Sequence, residues 1–219
     1  MSIFITGTDT GVGKTRVAAM LVRALRAAGA DAAGFKPICC GERGDAELLA
    51  AASGGGVALN DVNPVWLRAP LAPYTAAMIE GRTADVALVR EKFAQLRGAH
   101  ATVIVEGAGG WLVPVTRDFS MADLAAEFAL PVLVVAGNRL GAINHTLLTV
   151  AAIRAHGLRC AGVILNHVQP PADGDAAVVT NAGVLGELLA ALPGGPAPLL
   201  GELAFGAETL PPTVGKVAL

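Results

Sequence analysis

The chain has 219 residues and a formal net charge of -2, the length of one α/β domain and enough to bury a sizeable core. No basic excess provides an electrostatic footprint for nucleic acid, and no apolar run approaches the roughly 18 residues a membrane span needs. Three cysteines, Cys39, Cys40 and Cys160, show no metal-ligand spacing, and their odd number argues against a disulfide framework, with Cys160 expected as a small buried side chain.

In chain order, the apolar run Ile3-Phe4-Ile5 is a first strand, and it starts too early to leave room for a signal peptide, so a cytoplasmic location is expected. Gly7-Thr8-Asp9-Thr10-Gly11-Val12-Gly13-Lys14-Thr15 follows and leads into a helix. A glycine-rich loop between strand and helix wraps a phosphate, because its backbone N–H groups point inward and the helix N-terminus adds positive partial charge. Lys14 then reaches the β/γ-phosphates and the Thr15 hydroxyl can ligand Mg²⁺, which makes this an ATP site. The strict pattern wants glycine at the position of Thr8; here the glycine, Gly7, lies one step further out.

Residues 14 to 28 carry Val17, Leu21, Val22 and Leu25 at helical spacing, and Gly29 ends that helix. Ala32 to Pro37 reads as a second strand, stopped where Pro37 removes a ladder donor, so Lys36 sits at a strand end, where α/β sheets bind ligands. Asp45 opens a short helix through Ala52, the Ser53-Gly54-Gly55-Gly56 run is a loop, and residues 60 to 74, with Pro64, Pro70 and Pro73, look irregular. A helix is expected over 85 to 97. Val103-Ile104-Val105 is a buried strand running into Glu106-Gly107-Ala108-Gly109-Gly110. Val132 to Ala136 is another continuous apolar run, followed by a helix over 142 to 155, a strand over 160 to 165 ending in Asn166, a helix over 176 to 192 and a last strand near Leu199 to Leu203. Strands alternating with helices predict a single doubly wound, mostly parallel sheet with helices on both faces, over one domain spanning residues 1 to 219.

Chemistry-bearing groups therefore collect at the carboxyl edge of the sheet. Glu106, ending an apolar strand, suits a second Mg²⁺ ligand, because hard cations take oxygen donors; the alternative is a helix-capping carboxylate. Asp45 is open on spacing alone, since an acidic residue at a helix start also serves the helix dipole. Lysines are scarce: of sixteen cationic residues four are lysines, and two of these, Lys14 and Lys36, fall at the expected site.

Thr6 to Thr15, Gly34-Phe35-Lys36-Pro37, Val105 to Gly110, Leu140-Gly141-Ala142-Ile143-Asn144-His145 and Gly162-Val163-Ile164-Leu165-Asn166 together resemble the dethiobiotin synthetases of biotin biosynthesis. The blocks occur in order over roughly residues 1 to 170, while the last fifty residues match only loosely. The resemblance implies an ATP-dependent cyclo-ligase that joins 7,8-diaminononanoate and CO₂ through a carbamate and a carbamic-phosphoric anhydride, giving dethiobiotin, ADP and phosphate. It implies Thr15, Asp45 and Glu106 as Mg²⁺ ligands, and Gly11, Val12, Gly13, Lys14, Thr15 and Arg16 with Glu106, Gly107, Ala108 and Gly109 as the ATP shell. Lys36, Lys14 and Thr10 take the catalytic positions, Asn166 reads the adenine edge, and His167 stands beside it. Lys36 and Cys40 would contact the substrate. A homodimer is implied, with the substrate carboxylate held near the Gly141 to Asn144 helix start from the partner subunit, and a helix N-terminus suits a carboxylate.

Three positions depart from the family pattern. Cys40 stands where a substrate-contacting serine is common, and a thiol is the weaker donor. His167 replaces a frequent Asp and Ala204 a proline, both bearing on nucleotide choice. A nucleotide-switched dimeric ATPase of the partitioning type shares the fold expected here, but it carries an extra loop lysine at the position of Asp9.

Overall fold

The computed structural model describes residues 2–170, 172 and 174–214. In chain order the elements are β1 (Ile3–Gly7), α1 (Lys14–Ala27), β2 (Ala32–Phe35), β3 (Ile38–Cys40), α2 (Gly44–Ala52), α3 (Leu59–Val62), β4 (Val65–Leu67), α4 (Pro73–Ile79) and α5 (Val86–Ala99). The second half adds β5 (Thr102–Gly110), β6 (Pro114–Thr116), β7 (Phe119–Ser120), α6 (Met121–Phe128), β8 (Val132–Gly137), α7 (Ala142–Ala155), β9 (Cys160–Asn166), α8 (Ala176–Ala190) and β10 (Leu199–Leu203).

Six strands form the central sheet in the order β10-β9-β8-β1-β5-β2, every pair parallel. Parallel strands buried on both faces read as unbroken apolar runs, and β1, β2, β8 and β9 are buried along their whole length. One apolar cluster packs Phe4, Phe35, Phe93, Val105 and Val134 on one face; the other packs Ile5, Val17, Leu21, Leu49 and Ile104 on the opposite face. The chain leaves β1 toward β5 and β2 on one side and later returns to β8 on the other, so the order reverses at β1. The crevice at such a reversal is where open α/β sheets bind ligands. No described helix is long and apolar enough to cross a membrane.

The expected alternation of strands and helices holds, with several corrections. β2 ends at Phe35, and residues 38–40 leave the main sheet to pair with β4 as a separate two-stranded ribbon. The stretch 60 to 74, expected to be irregular, holds most of α3, all of β4 and the start of α4. Its elements are too short for a periodic signal, and Pro73 occupies the first turn of α4, where a missing N–H costs nothing, so this proline starts a helix instead of breaking one. β5 does not stop at Glu106 but continues through the glycines to Gly110. α8 ends at Ala190, two residues early. The β6–β7 hairpin and α6 had no counterpart in the sequence reading; α6 opens with a capping box, Ser120 and Asp123 exchanging side-chain bonds with each other's backbone. The three cysteines are unpaired, and Cys160 is buried as expected.

Candidate active site

α1 begins at Lys14 behind Gly13, whose φ of 93° is the left-handed conformation glycine adopts without cost, and no side chain caps it. Its first N–H groups are left to face the loop, the arrangement that binds an anion. A Cβ on Gly13 would stand 2.1 Å from Asn166 Nδ2. At Gly7 a Cβ would meet Val12 Cγ2 at 2.7 Å and the Asp9 carbonyl at 2.8 Å, so the glycine one step outside the strict pattern is required by close approach of the loop to itself. The loop is thereby folded around Lys14, whose Nζ donates to the Asp9 carbonyl at 2.9 Å. Burial is the main reason that Lys14 is pushed down to about 8, and the neighbouring Lys36 ammonium lowers it further.

The middle of β5 delivers Glu106 beside this loop, since Ile5 and Glu106 are register partners on adjacent strands. Glu106 is completely buried. Its Oε1 accepts from the Thr15 hydroxyl at 2.8 Å and from Lys36 Nζ at 2.5 Å. Its Oε2 has no hydrogen-bond partner among the described residues. Lys36 arrives from the turn after β2, donates also to the Gly107 carbonyl at 3.3 Å and pairs with Asp45 Oδ2 at 3.0 Å. Desolvation alone would lower Lys36, but the Glu106 and Asp45 carboxylates outweigh it and hold the ammonium above its ordinary range. Burial likewise works to raise the Asp45 carboxyl, and the Lys36 charge with the Thr15 hydroxyl brings it below the usual carboxylate value. Burial pushes Glu106 upward while the Lys36 ammonium opposes that rise.

Thr15, Asp45 and Glu106 thus bring a hydroxyl and two carboxylates around one lysine. This all-oxygen set fits Mg²⁺, and the partnerless Glu106 Oε2 is a buried donor atom with its capacity unspent. The three residues line a cavity of about 640 Å³ with Thr10, Gly11, Gly13, Lys14, Lys36, Cys40, Ala108 and Gly109. Cys39, on β3 just after Pro37, lines it too, and sequence reasoning missed the rest of its wall: Ile38, Glu42, Pro70 to Pro73 and Val113. The Cys40 thiol is pushed up to about 11 by burial and stays protonated at neutral pH.

A second cavity of about 450 Å³ shares Gly11 and Gly13 with the first and continues past Arg16, Asn166, His167, Phe205 and Ala207. The Asn166 amide faces the loop: Nδ2 donates to the Val12 carbonyl at 2.8 Å, and Oδ1 accepts from Arg16 at 3.3 Å. Arg16 also donates to the Ala204 carbonyl at 3.1 Å. His167 bonds Glu202 at 2.8 Å and Asn138 at 3.2 Å. Gly141 and Asn144 are exposed at the start of α7 and line neither cavity. Asp9, where partitioning ATPases carry their extra lysine, is instead paired with Arg139 at 2.9 Å.

A parallel sheet with a phosphate loop at its reversal point and a buried lysine–carboxylate group beside it defines an α/β nucleotide-binding protein of the phosphate-loop class. Comparison agrees: the AAA domain family profile matches residues 1–203. Among solved structures, the cell division protein MinD of Aquifex aeolicus, in its MinC complex, superposes with a TM-score of 0.55 at 15% identity, covering 99% of this chain and 84% of that one. MinD of Pyrococcus furiosus gives 0.55 at 17% identity over 93% and 82%. These likenesses show the fold. Curated relatives narrow the class. An ATP-dependent dethiobiotin synthetase of Akkermansia muciniphila is 45% identical over 207 residues, 94% of this chain and 93% of that one, and one of Anaeromyxobacter dehalogenans is 52% identical over 190 residues, 85% and 84%. The chain belongs to the ATP-dependent dethiobiotin synthetase family.

Proposed function

We propose that the chain is a cyclo-ligase that converts 7,8-diaminononanoate, CO₂ and ATP to dethiobiotin, ADP and phosphate, working in the cytoplasm as one domain over residues 1 to 219. The observation that carries this reading is Lys36, a second cation, buried between Glu106 and Asp45 in the wall of the same cavity that Lys14 and Thr15 line. A simple ATPase needs only the loop. A synthetase must also bring a second anion up to the γ-phosphate.

One substrate amine adds to CO₂ and loses a proton, giving a carbamate. A carbamate oxygen attacks the γ-phosphorus and displaces ADP, forming the carbamic-phosphoric anhydride. The second amine then attacks the carbonyl carbon and expels phosphate, which closes the ureido ring. Gly11 to Arg16 and Gly107 to Gly109 hold the triphosphate; Lys14 and Thr10 face the transferred phosphoryl group; Lys36 accompanies the carbamate. Thr15, Asp45 and Glu106 are the Mg²⁺ ligands, and the ion supplies charge neutralisation at the phosphate oxygens. Cys40 contacts the substrate. Asn166 and His167 bound the base, with Asn166 Oδ1, now on Arg16, as the acceptor for an exocyclic amine. The protein is a homodimer in which Gly141 and Asn144 of one subunit hold the substrate carboxylate of the other, in keeping with their exposure away from both cavities.

One assay tests this reading. ADP release should require diaminononanoate and bicarbonate together, with one dethiobiotin formed per ADP, and in the same assay a mixture of Lys36→Ala and Asn144→Ala subunits should recover up to about a quarter of wild-type activity, as random pairing in a two-fold dimer gives. ATP turnover indifferent to either substrate would refute the function, and an active monomer would refute the composite site.

A further inference from the structure

Behind the cavity, the turn that carries Lys36 is tied to the helix that carries Asp45 through one side chain. Asn63, between α3 and β4, is 1% exposed. Its Nδ2 donates to the Lys36 carbonyl at 2.9 Å and to the Val65 carbonyl at 3.0 Å, and its Oδ1 accepts from Arg43 Nε at 3.0 Å. Arg43 is the residue immediately before α2, two positions before Asp45. Its Nη2 donates to the Asn63 carbonyl at 2.9 Å and to Asn60 Oδ1 at 3.1 Å, and its guanidinium lies 5.0 Å from the centre of the Trp66 ring. From the main chain, Lys36 N–H donates to the Val62 carbonyl at 2.8 Å, and Val65 N–H to the Pro37 carbonyl at 3.3 Å.

Every polar group of the Asn63 amide is therefore used, and all its partners belong to the segments that flank the site. A satisfied buried amide costs little, whereas its removal leaves two carbonyls and a guanidinium N–H short of partners. The geometry at stake is tight, since Lys36 Nζ stands 2.5 Å from one carboxylate and 3.0 Å from the other. A lysine side chain with four rotatable bonds keeps such a position only if its backbone is fixed.

We propose that Asn63, clasped by Arg43, is a positioning residue that sets Lys36 and Asp45 against Glu106 for the phosphorylation step. Its link to that step rests on the function proposed above. Neither residue touches either cavity, so neither is catalytic itself. The phosphate loop hangs on β1 and α1 and does not depend on the clasp.

The test uses the full chain in two measurements. In steady state, Asn63→Ala should lower kcat for dethiobiotin formation about ten- to a hundred-fold, as a displacement near 1 Å does, while KM for ATP stays within about two-fold. Arg43→Lys, at a half-buried position where the fold tolerates change, should lower kcat about three- to ten-fold, because a point charge cannot replace the fork that grips Asn63. In the nucleotide-free protein, the ¹³Cε resonance of Lys36, assigned by its loss in Lys36→Arg, should move from its wild-type position in both variants. A normal kcat with an unmoved Lys36 resonance overturns the proposal, as does an equal loss of kcat and ATP affinity, which would signal general damage. Should Asn63→Ala fail to fold, Arg43→Lys decides by the same criteria. Should the wild type form no dethiobiotin, the function fails, and the resonance of Lys36 still decides the clasp.

Discussion

The phosphate loop and the turn after β2 each bury a lysine, Lys14 at 7% and Lys36 at 3% exposure, at the same end of one sheet. The two are treated oppositely. Lys14 donates to a backbone carbonyl and has a second cation for a neighbour, so burial takes it down to about 8. Lys36 is buried more deeply yet keeps its proton firmly, because Glu106 and Asp45 stand within ion-pair distance. The difference is set by neighbouring charge and not by depth. The loop is an unmatched cationic place that an incoming polyphosphate completes, while at the turn two carboxylates already outnumber the one ammonium, which gains a use for its charge only when a cation draws on those carboxylates. Two anions can then meet in the cavity, one at each lysine.

Breaking the turn should have the largest effect. Glu106→Gln leaves Lys36 with only the half-exposed Asp45 and replaces a buried charge with an amide, so dethiobiotin formation at limiting Mg²⁺ should fall by roughly 10³-fold, with the far-ultraviolet circular dichroism unchanged. Wild-type turnover in that variant would remove Glu106 from the metal site.

The loop can be sharpened against the turn by pH. Because Lys14 titrates near 8 when folded and near 10.5 when exposed, the unfolded chain binds more protons between those values. The nucleotide-free protein therefore gains stability from Lys14 as pH rises through that window, and carries the full burial penalty below it. A bound triphosphate returns the proton, so ATP affinity should weaken by up to about ten-fold per pH unit above that pKa. Calorimetry in two buffers of different ionisation enthalpy should register proton uptake on ATP binding that grows as pH passes 8. Lys36, already held charged, contributes no uptake there. Binding without proton uptake at alkaline pH would contradict the contrast between the two lysines.

The loop region was far more legible in the sequence than the walls of its cavity. Strand, glycines, lysine and helix are contiguous, so local spacing places Lys14 and Thr15, and the apolar runs leading to Lys36, Glu106 and Asn166 place those residues at the site, although β5 itself runs on to Gly110. Even the displaced glycine made sense once the crowding around Gly7 was visible. The wall formed by Pro70 to Pro73 and Val113 comes from short elements whose positions follow from packing against the sheet, which no local period encodes. The capping box at Ser120 and Asp123 was a readable signal for α6 that periodicity alone passes over. Asn63 carried no signal at all. A lone asparagine in a proline-rich stretch acquires its role only when β2 and α2 close around it. The Asn166 contacts with the loop were equally invisible, since they join residues 154 positions apart.

The most direct test of the division of labour is Lys36→Ala, followed by dethiobiotin formed per unit time and by ATP affinity in the presence of Mg²⁺. Loss of one donor aimed at developing charge predicts a rate lower by about 10²- to 10³-fold with ATP affinity nearly unchanged. Lys36→Arg should rescue little, because a planar guanidinium cannot place a point charge between the two carboxylates. Unchanged product formation would contradict the account by making Lys36 a structural lysine, and lost ATP affinity would contradict it by making the turn part of the nucleotide site.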